Sequence, residues 1–279
     1  ENGYEWFGSA PGHEALTAYG LMQFNDMKNV YADVSDEMVK RTGKWIMSRR
    51  DGKGGFKKNP QALDQFGRAS DEVTNGYIVY ALSEAGFNDI EKEFEAAYKA
   101  AVTSDDGYQL ALMANSLHNF KDKRETEVMK KLMKLQETDG SFKSDHSITR
   151  SGGQSLKIET TAIAVLAMLN ADSKDVNVLN KAVEYLVKSR SGSGGFGSTQ
   201  GTVLALKALS EYAAASKKTD EAGTLECFID GNLVASKHYE VGEKNAIEFK
   251  GLEKFLSAGK HKVKISTKGA KNSLPYTVA

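Results

Sequence analysis

The sequence predicts a mainly α protein: an incomplete (α/α)6 toroid followed by a small antiparallel β segment. Three observations lead there. Apolar segments with helical character at 15–24, 77–85, 108–117, 158–169 and 203–214 alternate with charged amphipathic ones at 36–48, 89–102, 121–135 and 175–189. A helix apolar on every face must be covered on every face, whereas an amphipathic one lies at the surface, so the two kinds read as inner and outer helices taking turns. A glycine-then-aromatic turn recurs after outer helices, at Asp51-Gly52-Lys53-Gly54-Gly55-Phe56, Asp139-Gly140-Ser141-Phe142 and Gly192-Ser193-Gly194-Gly195-Phe196. Beyond residue 218 the apolar residues come in short alternating runs, which is the period of strands.

The elements follow in order. Ser9-Ala10-Pro11 places proline in the first turn of the first helix, with His13 at its start. Ser35-Asp36-Glu37 and Ser70-Asp71-Glu72 each put a hydroxyl N-cap before two carboxylates that complement the helix dipole. Gly86, after the second inner helix, fits a C′ glycine. Ser104-Asp105-Asp106 caps the third, and His118 ends it. The glycines of the recurring turns tolerate positive φ, and the aromatic after them plugs back into the helix ends. A repeating helix pair with a turn marks a repeat architecture. Closed toroids commonly use six pairs, so five inner and four outer helices lead to the expectation of a ring without its beginning and a chain that starts partway through a domain, the alternative being a complete five-pair or irregular arrangement. Strands are expected at 224–229, 233–241, 246–249, 262–266 and 276–278, with a hairpin turn at Asp230-Gly231-Asn232. The expected domains are 1–217, helical, and 218–279, a β segment too small to stand alone and therefore part of a larger sandwich.

Composition narrows the function. With 40% hydrophobic residues in 279, the chain can bury a substantial core. Lysine plus arginine equals aspartate plus glutamate, 37 each, so no net field draws nucleic acid or anionic lipid. No apolar run reaches the roughly 18 residues of a membrane span. The lone cysteine, Cys227, allows no internal disulfide.

A helical toroid admits three enzymatic chemistries, each with its own residue requirements. Terpene cyclisation needs a carboxylic acid that protonates an alkene, and Asp105-Asp106 is the nearest candidate, more simply read as a cap. Prenyl transfer needs zinc held by aspartate, cysteine and histidine, but Cys227 lies in the β segment between apolar neighbours. Glycoside hydrolysis needs two facing carboxylates, for which Glu72, Glu84 and Glu159 near inner-helix ends are the candidates. His13, His118, His146, His238 and His261 are scattered without metal-ligand spacing, and the glycine turns lack the Gly-Lys-Ser/Thr ending of a phosphate loop. No metal or cofactor is expected. The aromatic opening Tyr4-Glu5-Trp6-Phe7 either lines or shelters a reactive group or forms a lid over one end of the helices.

Four segments then resemble one family in order. Gly12-His13-Glu14-Ala15-Leu16-Thr17-Ala18-Tyr19 resembles the Trp-Leu-Thr-Ala-Tyr helix of the α2-macroglobulin and complement thioester proteins. Lys44-Trp45-Ile46 with the turn at Asp51 resembles their Lys-Trp-Leu…Asp-Gly-x-Phe segment, and Ile158-Glu159-Thr160-Thr161-Ala162 their Val-Glu-Ala-Thr helix start. Gly194-Gly195-Phe196-Gly197-Ser198-Thr199-Gln200 resembles their Gly-Gly-Tyr/Phe-Gly-Ser-Thr-Gln. The resemblance implies a thioester-type, terpenoid-cyclase-like toroid over 1–217 and, in the tail, the returning half of a CUB β-domain. It also implies a secreted, cell-surface or periplasmic parent protein that traps proteases or bonds covalently to targets, and it makes Tyr4, Trp6 and Phe7 candidates for shielding a thioester.

The departures from that pattern are informative. The family's Cys-Gly/Leu-Glu-Gln motif is absent, and no cysteine precedes Cys227. The histidine that forms an acyl-imidazole in some members would fall near 60–65, and none lies between His13 and His118. The expectation is therefore a chain that is itself inert, with its partners being target proteases and the remaining domains of the parent. The alternatives are a toroid enzyme of the cyclase or prenyltransferase kind and a non-covalent protein-binding module.

Overall fold

The computed structural model describes residues 3–270 except 9, 61–68, 172–174, 193, 216–218, 220 and 244–246. The chain divides into two compact units, 1–209 and 210–279. It is mainly helical, with a small antiparallel sheet toward its C-terminus.

Inner helices α1 (Glu14–Met27), α3 (Asp71–Glu84), α5 (Gly107–Asn119) and α7 (Gly153–Asn170) pack side by side in chain order. Outer helices α2 (Asp36–Ser48), α4 (Glu91–Thr103), α6 (Glu125–Met133) and α8 (Val176–Lys188) each lie against the inner helix before them. Burial separates the two kinds as their composition requires. In α7 every residue from 158 to 168 is buried, and in α3 every residue from 77 to 83. In α2 only Val39, Thr42, Gly43 and Ile46 are buried, and in α8 Leu179, Ala182, Val183 and Leu186, which is one stripe at helical spacing. Each large apolar side chain so covered contributes roughly 1.5–3 kcal/mol, so the inner row holds most of the hydrophobic stabilisation.

The last inner helix, α9 (Thr199–Ala215), departs from expectation. It buries only the stripe Gln200, Gly201, Leu204, Ala205 and Ala208, while Val203 and Leu206 are 45% and 51% exposed. Apolar composition on every face therefore does not mean cover on every face here.

The helix ends are chemically specified. Ser35 and Ser70 accept from the Met38 and Val73 amides, and Asp106 from that of Gln109. The N-cap of α1 is His13, whose Nδ1 accepts from the Leu16 amide, so Pro11 lies before the helix rather than in its first turn. At the end of α3, Gly86 has φ +78°, and the Phe87 and Gly86 amides bond Leu82 and Ser83 carbonyls, closing a Schellman motif. The end of α5 repeats this with Lys121 in the glycine's place at φ +55°. Helix α6 begins at Glu125 instead of 121 because Lys121 turns the chain and Asp122 folds onto Arg124.

In the second unit, β1 (Gly223–Ile229) is the middle strand, flanked by β2 (Asn232–Tyr239) and β3 (Val263–Lys268), both antiparallel to it. The β1–β2 turn is Asp230-Gly231, with φ +50° and +88°, as two-residue hairpins need. Burial alternates along β1, with Gly223, Leu225, Cys227 and Ile229 inward. Residues 247–249 form no strand, contrary to expectation, and 276–278 lie outside the described residues.

Candidate functional site

Bonds running between turns and helix starts gather the N-terminal ends of the inner helices. Each recurring turn closes with one amide-to-carbonyl bond: Asp51 to Gly55, Glu137 to Ser141 and Ser191 to Gly195, at 2.7–2.9 Å. Two residues before each aromatic stands a left-handed glycine, Gly54, Gly140 or Gly194, with φ from +89° to +100°. The aromatics Phe56, Phe142 and Phe196 are buried as plugs. Each plug also donates its backbone N–H to a side-chain oxygen of the following inner helix: Phe56 to Asn75, Phe142 to Thr161 and Phe196 to Thr202, at 2.9–3.1 Å. Each receiver sits among other polar residues in the first turns of its helix, so nothing in the sequence singles it out.

Among the described residues, three buried carboxylates stand at the same end. Glu14, at the start of α1, pairs with Arg49 at 2.8 Å and accepts the Asn59 amide at 2.8 Å. Asp106 accepts from Gln109 on one oxygen and from the Asp145 amide on the other, which makes it the N-cap of α5, while Asp105 beside it is exposed near Lys131. Glu159, in α7, is fully buried and receives three hydroxyls: Ser151 at 2.6 Å, Ser198 at 2.8 Å and Thr149 at 3.1 Å. Every one of these carboxylates accepts hydrogen bonds from fixed donors. Burial also pushes the Tyr77 and Tyr108 phenols well up, with the Glu159 charge adding to the effect.

The three candidate carboxylates do not face one another. Glu84, at the far end of α3, binds Asn119 at 2.7 Å, Glu72 is exposed in the first turn of α3, and Glu159 faces only hydroxyls. Among the described residues no group of three or more His, Cys, Asp or Glu is placed to hold a metal ion. Cys227 is buried in β1, and burial pushes its thiol up, away from the nucleophilic thiolate. Positions 61–65, where the relay histidine would fall, lie outside the described residues.

The aromatic opening is split. Tyr4 is stitched between α1 and α2: its amide donates to Thr17 Oγ1 and its hydroxyl meets Thr42 Oγ1, both at 2.8 Å. Its ring fits over Gly20, where a Cβ would come within 2.7 Å, and meets Phe24 at 5.6 Å. Trp6 is 52% exposed and Phe7 92% exposed. No helix among the described residues is long and apolar enough to cross a membrane.

The family model described as the A-macroglobulin TED domain matches residues 1–212. The chain belongs to that family. Alpha-2-macroglobulin-like protein 1 of Mus musculus is 26% identical over 226 residues, which cover 72% of this chain and 15% of the relative. The chain thus spans a small part of that relative's length. Within the TED domain, the segments that carried the resemblance prove to touch one another. Ser198 of the Gly-Gly-Phe-Gly-Ser-Thr-Gln segment donates to Glu159 of the α7 segment, while Arg49, just before the Asp51 turn, pairs with Glu14 of the α1 segment. Around Ser198 there is little room: a Cβ on Gly197 would meet Ser155 Oγ at 2.8 Å, and one on Gly201 the Phe196 carbonyl at 2.9 Å. The motif residues lock helix starts to turns.

Proposed function

We propose that this chain supplies the thioester-type helical domain, residues 1–217, and a returning β segment, 218–279, of a secreted alpha-2-macroglobulin-like protein that traps proteases. The match to the A-macroglobulin TED domain over residues 1–212 is the observation that carries it. The β segment is read as part of a CUB-like sandwich, consistent with a sheet of three strands whose outer two each leave one edge open among the described residues. The chain's own role is to wall and cover a reactive centre. Its buried carboxylates are held as acceptors and its cysteine is buried, which suits a scaffold better than a catalyst. Trp6 and Phe7, exposed beside the anchored Tyr4, serve as the apolar cover that keeps water from a thioester until the domain moves.

The test is direct. The isolated chain is expected to incorporate no labelled methylamine and to leave protease activity unchanged, whereas the protein that contains it inhibits proteases acting on a protein substrate. Methylamine uptake by the chain, or an intact protein without inhibitory activity, would overturn the proposal.

A further inference from the structure

His261 lies just before β3 with each ring nitrogen against a different part of the second unit. Its Nδ1 is 2.6 Å from Asp230 Oδ2 in the β1–β2 turn. The other carboxylate oxygen, Oδ1, accepts the Lys262 amide at 2.8 Å, and the Asp230 amide donates to the Lys262 carbonyl at 3.0 Å. With a carboxylate as its neighbour, Nδ1 must carry hydrogen in either protonation state. Nε2 faces a choice. It is 2.8 Å from the Ser257 carbonyl oxygen and 3.1 Å from the Ser257 nitrogen. A protonated Nε2 donates to the carbonyl, whereas a bare Nε2 accepts from the amide, and one proton decides which bond exists.

We propose that His261 is a proton-operated latch that fastens the 256–261 loop to the β1–β2 turn, closing on Asp230 and the Ser257 carbonyl when the ring is charged and passing to the Ser257 amide when it is neutral. The exchange needs only a proton taken from or returned to solvent at Nε2. The charged group that meets the ring is Asp230. The stretch after the 3-10 turn (Leu252–Phe255) meets it through the Ser257 backbone alone, and no other ion pair involves it among the described residues. The setting agrees in direction. The Asp230 carboxylate and then the Ser257 carbonyl raise His261 above the ordinary imidazole value, and the Lys262 amide and His261 hold Asp230 low. A group raised on folding adds stability that is full below its unfolded value and is lost as pH rises through the folded value. The latch is therefore tighter on the acid side.

The experiment is a pH titration of the full chain by NMR, following the His261 ring nitrogens and the Ser257 amide. The expected result is a His261 midpoint above about 6.5, with the Ser257 amide shift moving at the same midpoint and its exchange slowing above it, once the intrinsic pH dependence is removed. Asp230→Asn keeps an acceptor for the Lys262 amide and a residue type that tolerates positive φ, and it should lower the His261 midpoint toward the ordinary value. A Ser257 amide indifferent to the His261 titration overturns the latch, and that measurement needs no variant. An unmoved midpoint in Asp230→Asn, with the sheet intact, does so too.

Discussion

Thr161→Val tests whether the plugs are held by their backbone bonds or by shape alone. Phe142 and Thr161 are both fully buried, and the Phe142 amide reaches Thr161 Oγ1 at 3.1 Å. Valine replaces the hydroxyl with a methyl of nearly the same size, so no cavity opens and the β-branched helix residue is retained. What remains is a buried N–H without its acceptor, costing about 1–3 kcal/mol. A central value of about 2 kcal/mol is roughly a thirtyfold change in the unfolding equilibrium. For a unit of this size it lowers Tm by about 4–8 °C. Urea unfolding followed by far-UV circular dichroism reads the helical unit, and hydrogen exchange reads the Phe142 amide itself. Thr161→Ser keeps the acceptor and loses one methyl, at about 1 kcal/mol, so it is destabilised without losing Phe142 protection. A Thr161→Val protein as stable as the parent within about 0.3 kcal/mol, with Phe142 still protected, refutes the reasoning.

Glycine-to-alanine changes in two helices should have opposite signs in the same urea titration. Gly76→Ala in α3 meets nothing within 4 Å and should stabilise by about 0.5–1 kcal/mol, whereas Gly107→Ala sets a Cβ 2.4 Å from the Lys143 carbonyl and should destabilise by about 1–3 kcal/mol. Lys121→Gly removes a left-handed lysine from the end of α5, and a gain of about 0.5–1 kcal/mol is expected from thermal melting. Asp51 is held below the ordinary carboxylate value first by the Lys53 and then by the Gly55 amide, so the stability it lends is present above its unfolded value and lost as pH falls through the lowered one. A carboxyl-carbon NMR titration should find its midpoint below 3.8.

How far the sequence reveals this molecule depends on which interactions are local. Helix α2 lies at its expected bounds because Ser35 caps it and the Asp51 turn ends it, both within a few residues. Asp106 was readable as a cap for the same reason. Helix α6 starts four residues later than expected, since composition at 121–124 is helical while Lys121 takes a left-handed turn and Arg124 reaches back to Glu95 on α4. The exposed face of α9 is not legible in the sequence, because apolarity reports what could be buried and not what neighbour is there to bury it. The Glu159 hydroxyl cluster draws Thr149, Ser151 and Ser198 from two separate loops, and no spacing rule joins them. The glycine-aromatic turns announced the plugs, but the residues receiving their amides lie one helix further on.

The strand order β2-β1-β3 also sets a timetable for synthesis. β1 and β2 meet across two residues, and such hairpins close in about 1–10 μs. The third strand starts only at Val263, so at about 5–20 residues per second the open side of β1 waits on the order of one to five seconds after β2 has emerged. For that interval the nascent chain carries a bare pairing edge beside Leu225, Cys227 and Ile229, and other copies emerging from the same message are within reach of it.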